Sequence, residues 1–159
     1  MLPTLILVMA ALLLRGAGAL GIQSLADWRS AARWALSLML LFTASAHFAP
    51  IVRPDLVAMV PPSLPHAALL VSVTGVLEIV LAAAIQIPAT RRAAGIALIA
   101  MLILVFPANV SAAARHVPLG GRPATPLGLR VPMQILFVAV AWWTTHALGS
   151  AGGTARETC

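Results

Sequence analysis

Apolar residues run along this chain in five long blocks: about Leu2 to Ile22, Trp28 to Phe48, His66 to Ile87, Ala93 to Ala114 and Val131 to Leu148. Each is close to the ~20 residues that a helix needs to cross the hydrocarbon core of a bilayer. The blocks are continuous rather than alternating, and lipid offers no partner to a backbone N–H or C=O. The pattern therefore predicts transmembrane helices and not barrel strands. The expected fold is an all-α membrane protein, a four-helix transmembrane bundle preceded by an additional N-terminal transmembrane helix, five helices in total. Residues 1–26 would form the anchor helix, 27–149 the four-helix domain and 150–159 a flexible C-terminal tail.

In the first block, Arg15 interrupts the run and Gly16, Gly18 and Gly21 loosen its end. Positive charge follows the apolar stretch instead of preceding it, and no small-residue cleavage site stands out. This favours a retained anchor over a cleaved leader, which would leave four helices. The turn Pro88-Ala89-Thr90-Arg91-Arg92 joins two blocks as an antiparallel hairpin, and its paired arginines mark an inner side. With the N-terminus outside and the C-terminus cytoplasmic, Arg15, Arg29, Arg33, Arg91, Arg92 and Arg156 face inward, while Arg53, Arg115, Arg122 and Arg130 face outward. Of the two outer connections, Ala49 to Pro65 has an apolar middle suited to the interface and to acting as a lid. The other, Arg115 to Arg130, is rich in glycine and proline and reads as a solvated loop.

Composition sharpens this picture by exclusion. The chain is 61% hydrophobic and 9% charged over 159 residues, with a mean hydropathy of +1.00, far from the mixture of a soluble domain. All ten basic residues are arginines, and the net charge of +6 reflects scarce acids rather than a basic surface, so nucleic acid is not an expected partner. The one cysteine, Cys159, is the last residue, which excludes an intrachain disulfide, a CxxC pair and a cysteine-rich metal centre. Electron transfer would require a bound cofactor or a partner.

The chemistry must then come from the polar residues inside the apolar blocks. Glu78 lies near the middle of its block, where an ionised carboxylate costs a few kcal/mol unless it is paired, protonated or hydrated. Thr74 and Gly75 precede it by four and three residues and share its helix face. A protonated acid bonded across helices is the structural alternative to a functional one. Asn109 follows Pro107, which frees a carbonyl and bends the helix, so the amide serves either as a ligand contact or as interhelical glue. Arg130 and Gln134 are one turn apart at the start of the last block, with Pro132 expected in its first turn. Arg130 suits a headgroup anchor, an anion site or a bridge toward Glu78, about 15 Å away by helix rise. His47, ending the second block, is placed at the same outer side; a lone imidazole with one distant carboxylate makes no metal site. His66, His116 and His146 read as loop or helix-end residues, and Trp142 and Trp143 as packing or interfacial aromatics.

Ala46-His47-Phe48, Met59-Val60-Pro61-Pro62-Ser63-Leu64-Pro65, Thr74-Gly75-Val76-Leu77-Glu78, Phe106-Pro107-Ala108-Asn109 and Arg130-Val131-Pro132-Met133-Gln134 occur in an order that resembles the DoxX family of small bacterial membrane proteins, over about Arg33 to Trp143. That resemblance implies a four-helix core in the bacterial cytoplasmic (inner) membrane and a link to redox assemblies, some using quinone. The expected function is a redox-associated membrane subunit with an outer-facing polar pocket for a quinone-like or small anionic ligand. In it Glu78 would exchange a proton, and His47, Thr74, Asn109, Arg130 and Gln134 would bind the ligand. Membrane redox subunits would be its partners. A noncatalytic scaffold is the competing expectation, and a proton-coupled transporter a third, although no inverted repeat supports it.

Overall fold

In the computed structural model, which describes residues 1–146, α1 (Leu2–Ala19) leads through a short 3-10 turn at Gln23–Leu25 into α2 (Trp28–Phe48). There follow α3 (Arg53–Met59), α4 (Ala67–Ala84), α5 (Arg91–Ala114) and α6 (Leu127–Thr145). The chain is all-helical among the described residues, apart from an isolated bridge between Leu119 and Arg122. The tail expected at 150–159 and the location of the C-terminus fall outside the described residues.

Helix α2 packs against α1, α4 and α6, and α5 packs against α4 and α6. Thus α2, α4, α5 and α6 close a ring, and α1 lies against α2 outside it. Leu36, Leu40, Ile85 and Leu98 fill the ring's centre and are fully buried, with Ala35 and Ala141 between them as small contacts. Small residues let helix backbones approach closely. Gly95 is the extreme case on α5, because a Cβ there would overlap the Thr145 side chain of α6. Gly18 plays the same part at the α1 end, directly beneath the Leu25 carbonyl.

The outward faces are apolar: Leu5, Leu12 and Leu13 on α1, Leu69, Val76 and Val80 on α4, and Ile103 and Leu104 on α5 are all exposed. Four helices, α1, α4, α5 and α6, are long and apolar enough to cross a membrane. The fifth span expected at Trp28–Phe48 reaches that standard only when α2 is taken with α3, and the pair is bent by 94°. Arg29, Ser30, Arg33, Ser37, Thr43 and His47 dilute the apolar run of α2. Its neighbours compensate by enclosing it, and among the described residues α2 carries more buried positions than any other helix, eight between Ala31 and Ala44.

Polar contacts close both ends of the ring. At the arginine-rich end, Gln86 Nε2 donates to Ser37 Oγ at 2.7 Å and to the Arg33 carbonyl at 3.1 Å, while Ser37 Oγ donates to the Ala82 carbonyl at 2.7 Å. Asp27 caps α2 by accepting from the Ser30 N–H at 2.9 Å; that bond holds its carboxyl below the usual carboxylate range. Arg91 donates to the Ile85 and Gln86 carbonyls and so satisfies the end of α4.

At the opposite end, the connection expected to act as a lid is tethered. Arg115 Nη2 donates to the Ala58, Met59 and Val60 carbonyls at 2.8, 3.0 and 3.2 Å, capping α3 from the end of α5. Asp55 accepts from the Gly120 N–H at 2.8 Å, and Met59 packs on Ala112 and Val117. The stretch Arg115 to Arg130 is therefore not simply a solvated loop, since it holds α3 and gives up its last residues to α6. That helix starts at Leu127 after an extended Pro126. Pro132, expected in the first turn, consequently lies inside the helix: Pro126, with its fixed φ, supplies the boundary that the apolar pattern assigned to Val131.

Candidate functional site

The last turns of α2 bring His47 against two successive turns of α4, and Gly75 makes this possible. A Cβ at position 75 would lie 2.6 Å from His47 Cβ and 3.0 Å from the Phe48 ring, so any larger residue would hold the helices apart. The imidazole uses both of its nitrogens. Nδ1 lies 2.7 Å from the Val71 carbonyl and 3.3 Å from Thr74 Oγ1, while Nε2 faces Glu78 Oε1 at 3.7 Å. Thr43, one turn earlier on α2, lies near the same carboxyl, with its hydroxyl bonded to the Met39 and Leu40 carbonyls at 3.1 and 3.0 Å.

These contacts fix the tautomer. A carbonyl oxygen can only accept, so the proton at the 2.7 Å contact belongs to Nδ1. Thr74 is already committed to its own helix, its hydroxyl lying 2.9 Å from the Leu70 carbonyl and 3.0 Å from that of Val71. In the neutral ring, Nε2 then carries a lone pair toward Glu78. At 3.7 Å the two groups stand at ion-pair distance, longer than a hydrogen bond; one proton between them, on the acid or on the imidazole, leaves the pair with no net charge in either form. Its second oxygen, Glu78 Oε2, is buried without a hydrogen-bond partner among the described residues. Both side chains are about 85% enclosed, with exposures of 14% for His47 and 15% for Glu78, so this oxygen is shielded from bulk water and its bonding is incomplete.

Arg53, on α3, covers the pair from the end of the ring. Its Nη1 donates to the His47 carbonyl at 2.7 Å, and its Nη2 donates to Ser72 Oγ at 2.9 Å and to the Ala68 carbonyl at 3.2 Å.

The other expected ligand residues form a second group on α5 and α6. Arg130 Nη1 donates to Asn109 Oδ1 at 2.6 Å and its Nε to the Thr125 carbonyl at 2.8 Å. Gln134 Nε2 donates to the Leu102 carbonyl at 2.6 Å, within the stretch of α5 leading to Pro107. Thus His47, Thr74 and Glu78 come together between α2 and α4, while Asn109, Arg130 and Gln134 sit between α5 and α6. No recorded hydrogen bond or ion pair joins the groups among the described residues. The bridge from Arg130 toward Glu78 is replaced by the bond to Asn109, the nearer partner across the α5–α6 contact. A shallow groove of about 400 Å³ lies on the outer α5–α6 face, lined by Ile99, Gln134, Ile135, Val138, Ala139 and Trp142, and does not reach Glu78. Among the described residues, no group of three or more metal-ligating side chains gathers anywhere.

Thr43 and Ser72 escaped the sequence reading, and Arg53 was read only as an outward-facing arginine. The only signal for Arg53 was its position six residues after His47 beside a proline, which shows where the chain turns but not that the guanidinium folds back.

A family model described as a domain of unknown function (DUF8561) matches residues 36–145. No curated protein and no solved structure matches the chain significantly. The expected place in the DoxX family is therefore overturned. The short motifs behind that expectation mark needs common to small apolar bundles, namely prolines that end or bend helices and single polar residues that join them.

Proposed function

From the premise that the chain belongs to the DUF8561 family, whose domain has no known function, we propose that it is a multi-pass membrane protein that exchanges protons with a small hydroxyl- or carbonyl-bearing molecule at the His47–Glu78 pair. The observation that carries this reading is Glu78 itself: one oxygen faces the imidazole at 3.7 Å and the other is buried and unpartnered. A ligand O–H donating to that oxygen would complete the bonding of a group that is costly to leave unsatisfied. Loss of that proton to the pair would reverse the donor and acceptor roles. Quinols belong to this ligand class, and they reach such sites through lipid. A neutral ligand is favoured over an anionic one because the nearest cation, Arg53, spends its recorded bonds on helix carbonyls and Ser72, and Arg130 is turned to Asn109.

Membrane insertion is supported by four helices of spanning length whose outward faces are apolar. In a bacterial cytoplasmic membrane, the end holding Arg15, Arg29, Arg33, Arg91 and Arg92 would face the cytoplasm. On that reading the N-terminus and the His47 end of α2 lie on the outer side.

The test is binding of decylubiquinol to the full chain reconstituted in phosphatidylcholine nanodiscs. Glu78→Met keeps the length of the side chain but has no oxygen to accept the ligand O–H. It is expected to weaken binding at least tenfold, about 1.4 kcal/mol, while the protein stays in the carbonate-resistant membrane fraction. Equal binding by the two proteins would refute the site.

A second reading, a noncatalytic assembly subunit, rests on the α5–α6 group, where Asn109 and Arg130 satisfy each other and Gln134 bonds to the backbone. Such contacts are those of interhelical glue. Recovery of a stoichiometric partner from the native membrane, with no retained small molecule, would favour it.

A further inference from the structure

The corner between α2 and α3 places a fixed cation against the proton-sharing pair. Arg53 follows the end of α2 by five residues, and the 94° bend folds it back over that end. Its guanidinium joins three elements: it sits on α3, donates to the His47 carbonyl on α2, and donates to Ser72 and Ala68 on α4. The last carbonyls of a helix carry partial negative charge and would favour an imidazolium at His47. Arg53 satisfies the carbonyl of that very residue at 2.7 Å, so the helix end already has its cation.

The charge is also unevenly placed with respect to the pair. Arg53 bonds the backbone of His47 itself, whereas Glu78 lies six residues beyond Ser72 along α4, about 9 Å by helix rise. Moving the shared proton from Glu78 to His47 therefore brings positive charge toward Arg53 and leaves negative charge farther from it. In surroundings of low dielectric, this arrangement disfavours the separated charges. Among the described residues, Glu78 and Arg53 are the charged groups recorded against His47, and Thr43 and Thr74 are the neutral polar ones at the pair.

We propose that Arg53 is a positioning residue that holds the shared proton on Glu78 and keeps His47 neutral, so that the resting site presents a carboxylic acid rather than an ion pair. The inference rests on the reading of His47 and Glu78 as a proton-sharing pair and adds what sets its resting state. A site so poised offers its proton to an acceptor such as a carbonyl, and a ligand can shift the balance by disturbing the Arg53 contacts.

The experiment is ¹⁵N solid-state NMR of the histidine rings in the full chain, in phosphatidylcholine bilayers near neutral pH, with the His47 signals assigned by their loss in His47→Asn. Wild type is expected to show His47 with one protonated and one bare nitrogen. Arg53→Gln is expected to raise the imidazolium fraction roughly tenfold, and Arg53→Lys to keep the wild-type pattern because the charge remains. An imidazolium in wild type would overturn the proposal without any variant, and so would Arg53→Gln spectra identical to wild type. Equal imidazolium in Arg53→Lys and Arg53→Gln would also overturn it, by assigning the effect to bonding geometry rather than charge. Glu78→Met, which has no donor for Nε2, separates the two levels: if His47 signals shift in that variant while Arg53→Gln leaves them alone, the pair stands and the role of Arg53 falls. If His47 ignores Glu78→Met, the pair itself falls.

Discussion

Gly75→Leu is expected to destabilise the protein by about 3 kcal/mol or more and to abolish binding at the His47–Glu78 site together with the close α2–α4 contact at Gly75. The argument is steric. The missing Cβ would sit 2.6 Å from His47 Cβ and 3.0 Å from His47 Cγ, and neither atom is the free end of a flexible side chain. The imidazole is further held by the Val71 carbonyl at 2.7 Å, so it cannot turn away without losing that bond. A leucine must push α4 off α2, and the 3.7 Å approach of Nε2 to Glu78 is lost with it. Gly75→Ala should show the same direction with a smaller cost, of order 1–2 kcal/mol. Thermal or denaturant unfolding in detergent checks the stability, and ligand titration of the surviving folded fraction checks the site. Wild-type stability in Gly75→Leu would mean that the two helices do not approach as described.

Gly95→Leu is expected to cost a comparable ~3 kcal/mol while leaving the His47–Glu78 geometry intact in whatever protein still folds. Its clash is with the Thr145 side chain on α6. Thr145 is buried and donates to the Ala141 carbonyl, so it has little room to yield. The damage falls on the α5–α6 contact at the arginine-rich end, away from His47. The two glycines thus form a matched pair of perturbations, equal in mechanism and different in place. Loss of ligand binding per folded molecule in Gly75→Leu but not in Gly95→Leu would assign the chemistry to the α2–α4 contact. Equal loss in both would spread it over the whole bundle.

Much of the helical layout was legible because hydropathy reports directly on which stretches avoid water. The blocks at Leu2, Trp28 and Ala93 became α1, α2 and α5 with boundaries close to those of the pattern. The last helix was misjudged by four residues at its start, since Pro126 and Gly128 look like loop chemistry while Leu127 and Leu129 supply a first turn. Single polar residues in apolar runs were equally visible: His47, Thr74, Glu78, Asn109, Arg130 and Gln134 each stood out by contrast. Which of them meet was not visible, because that depends on how each helix is rotated about its axis, and a helix apolar almost all round carries little rotational signal. Gly75 held such a signal, as the small residue one turn from an acid, but its partner lay 28 residues earlier in the chain. Arg53, Ser37 and Gln86 were hidden for another reason. They bond to backbone carbonyls or to one another across helices, and carbonyls leave no trace in a sequence. Family membership was not legible from motifs of this size, whose residues serve packing as readily as descent.

The most direct test is the distance between the His47 ring and the Glu78 carboxyl in a bilayer, measured by ¹⁵N–¹³C dipolar recoupling on the full chain with labelled histidine and glutamate. A detectable long-range coupling from Nε2 to the Glu78 carboxyl carbon, matching the 3.7 Å nitrogen-to-oxygen approach, is the expected result. Absence of that coupling in folded protein, with the Nδ1 contact to Val71 still present, would contradict a shared proton and with it the function proposed for this pair.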